Sequence, residues 1–185
     1  MSAKITIDKL GDVIKAISGL ANKDVLVGIP DSAPERTDTP ITNAQIGYVM
    51  ETGSPANNIP ARPFLVPGIA SVQDEVAARL RKGALSALDG SQTGVDTALK
   101  QAGMVGQNAV KQKITDGPFA PLSPRTVAER RRGRKTQSMR KSEKEYAKLL
   151  AQGKTEQEAQ DAAGIKPLIN TGSLRNAVTY VLRKK

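Results

Sequence analysis

The sequence NNIPARPFLVPGI, residues 57–69, contains three prolines, one arginine and one of the chain's two phenylalanines. Proline fixes its own backbone and pushes the residue before it towards an extended conformation. The segment, which we call the elbow, is therefore too stiff for a flexible linker and too broken by proline for a helix or a central strand. We expect it to hold the Arg62 side chain at a fixed angle, with Phe64 and Leu65 anchored in the core.

Two interpretations of the elbow are open. Arg62 can pair with a local carboxylate such as Glu51, or it can take part in a contact with another subunit. A segment whose shape is already fixed loses little entropy when it docks, and this suits a repeated contact between subunits. On the second interpretation, the subunit-interface residues are Pro60, Arg62, Pro63 and Phe64.

The composition limits the size of the core. Hydrophobic residues make up 38% of the 185 residues and aromatic residues 3%, with no tryptophan. The core must therefore come from alanine, valine, isoleucine and leucine, and we expect some elements to be buried against other subunits. The start of the chain lacks the apolar stretch of a signal peptide, and no stretch approaches the roughly 18 apolar residues of a membrane span. We expect a soluble protein without membrane contact.

The composition also excludes several kinds of chemistry. The chain has no cysteine and no histidine, so disulfides, thiolate nucleophiles, Cys/His zinc sites and imidazole bases are impossible within it. No Asp/Glu cluster has the spacing of a calcium loop, and no phosphate-binding glycine motif occurs. We predict a protein that is not an enzyme, with no catalytic residue, cofactor, metal ligand or small-molecule substrate. A hydrolase or nuclease is the least favoured class.

The elements before the elbow follow from sequence periodicity. Apolar residues three and four positions apart predict a helix over residues 7–20, and the β-branched run at 25–30 predicts a strand. A short helix then begins after Thr42 or Asn43 as the N-cap and ends at Gly53.

Two long helices follow the elbow, over about 67–88 and 95–116, and the short loop between them predicts antiparallel packing. Gly103 and Gly106 lower the helix propensity of the second helix but permit another element to approach closely. We expect the two helices to share one apolar face: Val72, Val76, Leu80, Leu99, Ala102 and Val110.

The C-terminal part begins with a helix over about 124–132, with Ser123 as its N-cap, and ends in a strand over about 178–183. Residues between them are polar helix formers with little to bury. The predicted fold is α+β, with a small antiparallel or mixed sheet packed against two long antiparallel helices. We predict one core domain over 1–133 and 164–185, and a basic, polar helical insertion over 134–163.

The positive charge is concentrated in one segment. The chain carries a net charge of +10, and residues 125–148 contain ten basic and three acidic residues. This run is either a solvated face or a contact surface for a polyanion, most simply the DNA backbone. Tyr146 is the run's lone aromatic, so stacking on single-stranded bases has little support. The candidate residues for contact with DNA or with an acidic partner are Arg130, Arg131, Arg132, Arg134 and Lys135.

Four blocks occur in an order that resembles a known family: IGYVMETGSP (46–55), IPARPFLVPGI (59–69), APLSPRTVAERRRG (120–133) and KPLINTGSLRNAVTYVLR (166–183). The pattern is similar to that of tailed-bacteriophage neck and tail-completion proteins, the HK97-type gp10-like and virion-morphogenesis group. Compact members pass more directly from the third block to the fourth. The blocks cover 53 of the 185 residues, and nothing catalytic carries over from them.

The resemblance implies a small α+β fold and a ring between the portal-proximal head proteins and the tail tube. It also implies that Thr171, Gly172, Leu174 and Arg175 form the turn before the last strand. We therefore expect a virion structural protein at the head–tail neck, assembled in the bacterial cytoplasm as a ring, most simply a hexamer. Its partners would be neighbouring neck, connector, tail-terminator or tail-tube proteins, with DNA in the lumen. The alternative is a non-specific DNA-binding protein that uses residues 125–148.

Overall fold

The computed structural model describes residues 9–31, 40–133 and 137–185. This part of the chain is mostly helical and contains a two-stranded antiparallel sheet, which confirms the predicted α+β class. In chain order the elements are α1 (Leu10–Ala21), β1 (Lys23–Gly28), α2 (Asn43–Thr52), a 3₁₀ turn (Pro55–Asn57), α3 (Leu65–Ala70), α4 (Gln73–Leu88), α5 (Gln92–Asp116), α6 (Pro124–Gly133), α7 (Gln137–Ala151), α8 (Glu156–Ala162), α9 (Ser173–Ala177) and β2 (Thr179–Lys184).

The chain forms two compact units, and each is described by itself. The first comprises the described residues up to Pro30 together with 65–111 and 178–185. The second comprises the described residues of 31–64 and 112–177. Residues 137–163 of the predicted insertion belong to the second unit, and the insertion boundaries stay a prediction.

The helix predicted over 67–88 is two helices, α3 and α4, with a break at Ser71 and Val72. The Ser71 hydroxyl donates to the Gly68 carbonyl at 2.7 Å, and the Val72 N–H donates to the Ile69 carbonyl three residues earlier. Serine side chains compete with the helix for backbone groups in this way, and the hydrogen bond from Val72 to Ile69 closes a tighter turn than that of an α-helix. Periodicity alone does not reveal such a break.

The two strands of the first unit pair in a register that gives the sheet two unlike faces. Val25 lies opposite Leu182 and Val27 lies opposite Tyr180. Paired residues share a face of the sheet, and Val25 and Leu182 pack against a buried cluster from three helices, namely Ala16, Ala87, Val95 and Leu99. The other face carries the pair Leu26 and Val181, and the large side chains of both are exposed.

Two glycines of α5 lie directly under the packed face of the sheet. A Cβ at Gly103 would overlap the Tyr180 ring, and a Cβ at Gly106 would lie 3.1 Å from a methyl carbon of Val27. The close approach expected at these two glycines is therefore present. The sheet can rest on α5 because α5 has no side chain at either position.

Helix α4 faces its neighbours with small residues rather than large ones. Its buried residues are Gly83 and Ala87, and a Cβ at Gly83 would lie 3.0 Å from the Ala98 Cβ of α5. Leu80 was predicted to be in the core but is 38% exposed, whereas Leu99 is 3% exposed. The predicted apolar face is thus wrong at Leu80, because glycine and alanine carry the contact one turn further along.

The second unit has a core of its own, built largely from the polar segment that was expected to bury little. Tyr146 and Leu149 of α7, Ala159 of α8 and Ile165 form a buried cluster with Leu122 and Val127. The expectation of little burial in 134–163 is therefore wrong. A few apolar residues are enough to form this buried cluster, because Tyr146 and Leu149 lie three residues apart on one face of α7.

Substituting Gly103 with alanine tests the packing of the sheet on α5. The new methyl group would overlap the base of the Tyr180 ring, so we expect Gly103→Ala to lower the free energy of unfolding by about 1–3 kcal/mol. Gly11→Ala is the matched control, because a Cβ there meets nothing within 4 Å, and it should be neutral or stabilising by up to about 1 kcal/mol. Urea unfolding followed by circular dichroism measures both. Equal stabilities of the two variants would contradict the packing described.

Candidate subunit-interface site

The elbow is held in place first by the turn that precedes it. Helix α2 ends at Gly53, which has a φ of 77°, and a Cβ there would lie 2.9 Å from the Ala61 backbone nitrogen. The Arg62 N–H donates to the Met50 carbonyl at 2.6 Å, and Ser54 forms a bridge with Ile59. Gly53 therefore allows the chain to fold back, so that the elbow runs alongside the end of α2.

The Arg62 guanidinium is used within the second unit. Its Nε donates to the Ala120 carbonyl at 2.8 Å and its Nη2 donates to the Pro121 carbonyl at 2.6 Å. The residue is 5% exposed, and burial lowers the pKa of Arg62 below its ordinary value. An arginine remains charged at neutral pH despite such a shift. The fork geometry of guanidinium therefore clamps two consecutive carbonyls with charged donors.

The residues on either side of Arg62 divide into buried and exposed ones. Phe64 is buried, and its backbone N–H donates to the Glu51 carboxylate at 2.7 Å. Pro60 and Pro63 are exposed. Of the four residues predicted for a subunit contact, the two prolines are on the surface, and Arg62 and Phe64 hold the elbow from within.

A second arginine of the second unit makes the same kind of contact with another loop. Arg130, in the last turn of α6, donates to the carbonyls of Lys166, Pro167 and Ile169 at 3.1, 2.5 and 3.4 Å. These carbonyls belong to the loop that leads into α9. Arg130 was predicted to face DNA or an acidic partner, but these hydrogen bonds direct its guanidinium into the unit instead.

The predicted turn before the last strand is a capped entry into α9. The Thr171 hydroxyl accepts the Ser173 N–H at 3.3 Å, and Gly172 has a φ of 84°. Leu174 is buried, and Arg175 donates from Nε to the Thr115 hydroxyl at 3.1 Å. Gly172 is needed here because side chains rarely adopt a positive φ.

The rest of the basic run differs in its exposure. Arg131 and Arg132 are exposed and lie next to each other in α6, and Lys141, Lys144 and Lys148 of α7 are also exposed. Arg134 and Lys135 lie outside the described residues. Of the three predicted contact residues that the structure describes, Arg130 holds a loop of its own unit, and Arg131 and Arg132 lie on the surface.

Two polar residues that sequence reasoning missed hold the loop before α6. The Tyr146 hydroxyl donates to the Leu122 carbonyl at 3.0 Å, and the Gln160 side-chain oxygen accepts the Leu122 N–H at 3.0 Å. Both side chains are almost fully buried. The burial of Tyr146 could have been predicted from its spacing of three residues from Leu149. No sequence pattern indicates the role of Gln160, because its partner is a backbone group distant in sequence.

Within the described residues, no group of three or more acidic side chains could hold a metal ion. A cleft of about 170 Å³, lined by Ile46, Arg130 and Gly172 among others, is smaller than the roughly 300–1,000 Å³ typical of ligand pockets. No helix in this part of the chain is long and apolar enough to cross a bilayer. Comparison with protein-family models, curated proteins and solved structures finds no match to the chain.

Replacing Arg62 by lysine tests the first clamp. Lysine keeps the charge but cannot present two parallel donors, so we expect Arg62→Lys to lower the free energy of unfolding by about 1.5–3 kcal/mol. Arg125→Lys is the matched control, because the Arg125 side chain is 89% exposed and pairs with Glu129 on its own helix. That change should cost less than about 0.5 kcal/mol. Denaturant unfolding of both variants measures the difference, and similar small losses would argue against a clamp.

The buried tyrosine predicts a dependence of stability on pH. Burial, followed by the charge of Glu156, raises the pKa of Tyr146 above its ordinary value of 10.0. A raised pKa in the folded state means that Tyr146 favours folding below the unfolded pKa, and that this contribution is lost as the pH rises through the folded value. We expect wild-type stability to fall above about pH 10 more steeply than that of Tyr146→Phe. Parallel stability curves for the two proteins would contradict this.

Proposed function

We propose that this chain is a structural subunit of the head–tail neck of a tailed bacteriophage and has no enzymatic activity. In this proposal, copies of the chain form a ring, sixfold in its simplest form, that joins the connector to the tail and lets DNA pass through its lumen. Its partners are neighbouring neck, connector, tail-terminator or tail-tube proteins. The ring belongs to the virion and is assembled in the cytoplasm of the bacterial host.

The observation that carries the proposal is a chain of contacts in the second unit that links those parts of the four resembling blocks that lie within it. Arg62 of the second block donates to Ala120 and Pro121 of the third. Arg130 of the third block donates to carbonyls of the fourth. Helix α2 of the first block contacts α9 of the fourth. Segments scattered over more than a hundred residues of sequence thus make one local structure, as expected for blocks that define a fold rather than chance matches.

The surface of the first unit supplies the second support. Large apolar side chains of α1, the end of α4 and the outer face of the sheet are exposed: Leu10, Ile14, Ile17, Leu26, Leu85, Leu88 and Val181. Exposed apolar residues that cluster mark interaction sites in soluble proteins. Burial against other copies would supply the apolar contacts that the thin core lacks.

The finer prediction of two long antiparallel helices is part of the same proposal. Arg79 of α4 donates to Gln101 of α5 at 3.4 Å, Gly83 lies against Ala98, and Gly94 lies against Ser86. The α4 residues in these contacts rise in number as the α5 residues fall, which is the order that antiparallel helices give.

A non-specific DNA-binding protein is the second candidate, and the exposed basic residues of α6 and α7 favour it. Arg131, Arg132, Lys141, Lys144 and Lys148 present cations that phosphates can reach. Contacts of this kind give an affinity whose logarithm falls with the logarithm of salt concentration by about 0.9 per neutralised phosphate on duplex DNA. No described feature provides for reading a base sequence.

A double charge reversal separates the two candidates. Arg131→Glu with Arg132→Glu changes exposed residues and leaves the Arg130 clamp intact. We expect the variant to keep its ring, seen by native mass spectrometry and by imaging at the neck of particles, while any affinity for duplex DNA falls and its salt dependence weakens. Arg81→Glu with Lys82→Glu, at two adjacent exposed cations of α4, is the matched control for general loss of positive charge.

The outcomes assign the function clearly. Particles that carry the protein in a ring at the neck support the structural role. A monomer that binds duplex DNA tightly, loses this binding on charge reversal and is absent from particles supports the second candidate and removes the first.

A further inference from the structure

An apolar groove of about 570 Å³ runs along one edge of the sheet in the first unit. Strand β1 forms one wall, with five consecutive lining residues from Lys23 to Val27. Helices α3 and α4 form the opposite wall, and α5 forms the floor. The lining side chains outside β1 are all apolar or small: Leu20, Ile69, Val76, Leu80, Leu99, Ala102 and Gly106.

The edge of β1 along this groove carries backbone groups that β2 does not use. The Lys185 N–H donates to the Asn22 carbonyl at 2.9 Å, which makes residues 22 and 185 a hydrogen-bonded pair. In an antiparallel ladder such pairs alternate with pairs that point outwards. The N–H and C=O groups of Lys23, Val25 and Val27 therefore point away from β2. A groove beside such an edge has the form of a site for one more strand.

We propose that the segment Lys4–Asp8 of a neighbouring copy adds to this edge of β1 as a third strand. The proposal rests on the proposed ring and names the contact that would link its subunits. The segment lies outside the described residues and is followed by Lys9 and then by α1. When Thr6 pairs with Leu26, Ile5 and Ile7 lie beside Val25 and Val27, on the packed face of the sheet. Ile5 and Ile7 alternate with Lys4, Thr6 and Asp8, so one side of an extended strand would meet the apolar floor and the other would meet solvent.

The position of α1 favours a neighbouring copy over the same chain. Gly90, just after α4, lies against Asp12 near the start of α1, since a Cβ there would be 3.1 Å from the Asp12 Cβ. The groove begins at Leu80 and extends towards Ile69, so its near end is about 12 Å back along α4. Extended, residues 4–8 span about 17 Å. A segment tethered to its own α1 would use most of this length before it entered the groove.

The lack of cysteine in the chain allows a direct test by disulfide trapping. Leu26→Cys places a thiol on the solvent face of β1, and Thr6→Cys places one on the solvent side of the added strand. Full-length chains with one substitution each are mixed and oxidised. A peptide of residues 1–9 with Thr6→Cys is also added to full-length Leu26→Cys, so that the result does not depend on whether the ring forms in solution.

Two matched controls accompany the test. Thr97→Cys replaces Leu26→Cys with an exposed thiol on α5 that does not line the groove. The peptide with Ile5→Asp and Ile7→Asp keeps the thiol but cannot enter an apolar floor. We expect covalent adducts of Leu26→Cys with both the full-length partner and the peptide, and loss of the adduct in each control.

Adducts no more abundant than in the Thr97→Cys control would overturn the inference. A second result would also overturn it: a single chain with both Thr6→Cys and Leu26→Cys forms an internal disulfide, while the mixture of singly substituted chains forms no adduct. The segment would then bind β1 of its own chain. The proposed function is judged separately by imaging of particles. A neck ring without trapping removes the strand exchange alone, whereas trapping without a ring at the neck removes the proposed function.

Discussion

The lack of side-chain bulk along helix α5 is the constraint on which the rest of the structure depends. With 3% aromatic residues and no tryptophan, this chain cannot fill wide gaps between its elements. Its elements instead lie close together, with Gly103 and Gly106 of α5 under the sheet and Gly83 of α4 against Ala98. Glycine in a helix costs about 1 kcal/mol relative to alanine. The close packing that glycine permits must offset that cost, which ties the position of the sheet to these few residues.

The second unit meets the same shortage with hydrogen bonds. Arg62 and Arg130 each hold neighbouring backbone carbonyls of a loop, and Tyr146 and Gln160 hold the two backbone groups of Leu122. Buried backbone groups need partners, and charged or fully enclosed donors are the stronger ones. Loops that would otherwise need apolar packing are fixed by side chains reaching them from helices, so this unit depends on polar contacts as much as on its small apolar cluster.

Sequence reasoning could predict what depends on local pattern. The α+β class, a cap at Thr42 or Asn43, the stop at Gly53 and the final strand all follow from periodicity and backbone preference over a few residues, and the structure places the cap at Thr42. It failed where the partner is distant in sequence or the signal is a small residue. Leu80 fitted the apolar spacing as well as Leu99 did, and only the contact at Gly83 decides between them. Likewise, the carbonyl partners of Arg62 lie almost sixty residues away, so its charge suggested a carboxylate or another subunit.

These two ways of packing leave different surfaces for partners. Arg62 and Arg130 bind carbonyls within the second unit, so of the contact residues predicted there, a partner can reach Pro60, Pro63, Arg131 and Arg132. The first unit, closed by glycine contacts, keeps its large apolar side chains outside and one strand edge unpaired by β2. An unpaired strand edge and an apolar groove bind a partner through its backbone groups and its shape, whereas exposed cations bind a partner through its negative charge. Under the proposed function, a ring subunit would need both kinds of surface, because contacts between copies must be lasting and contacts with passing DNA must be exchangeable.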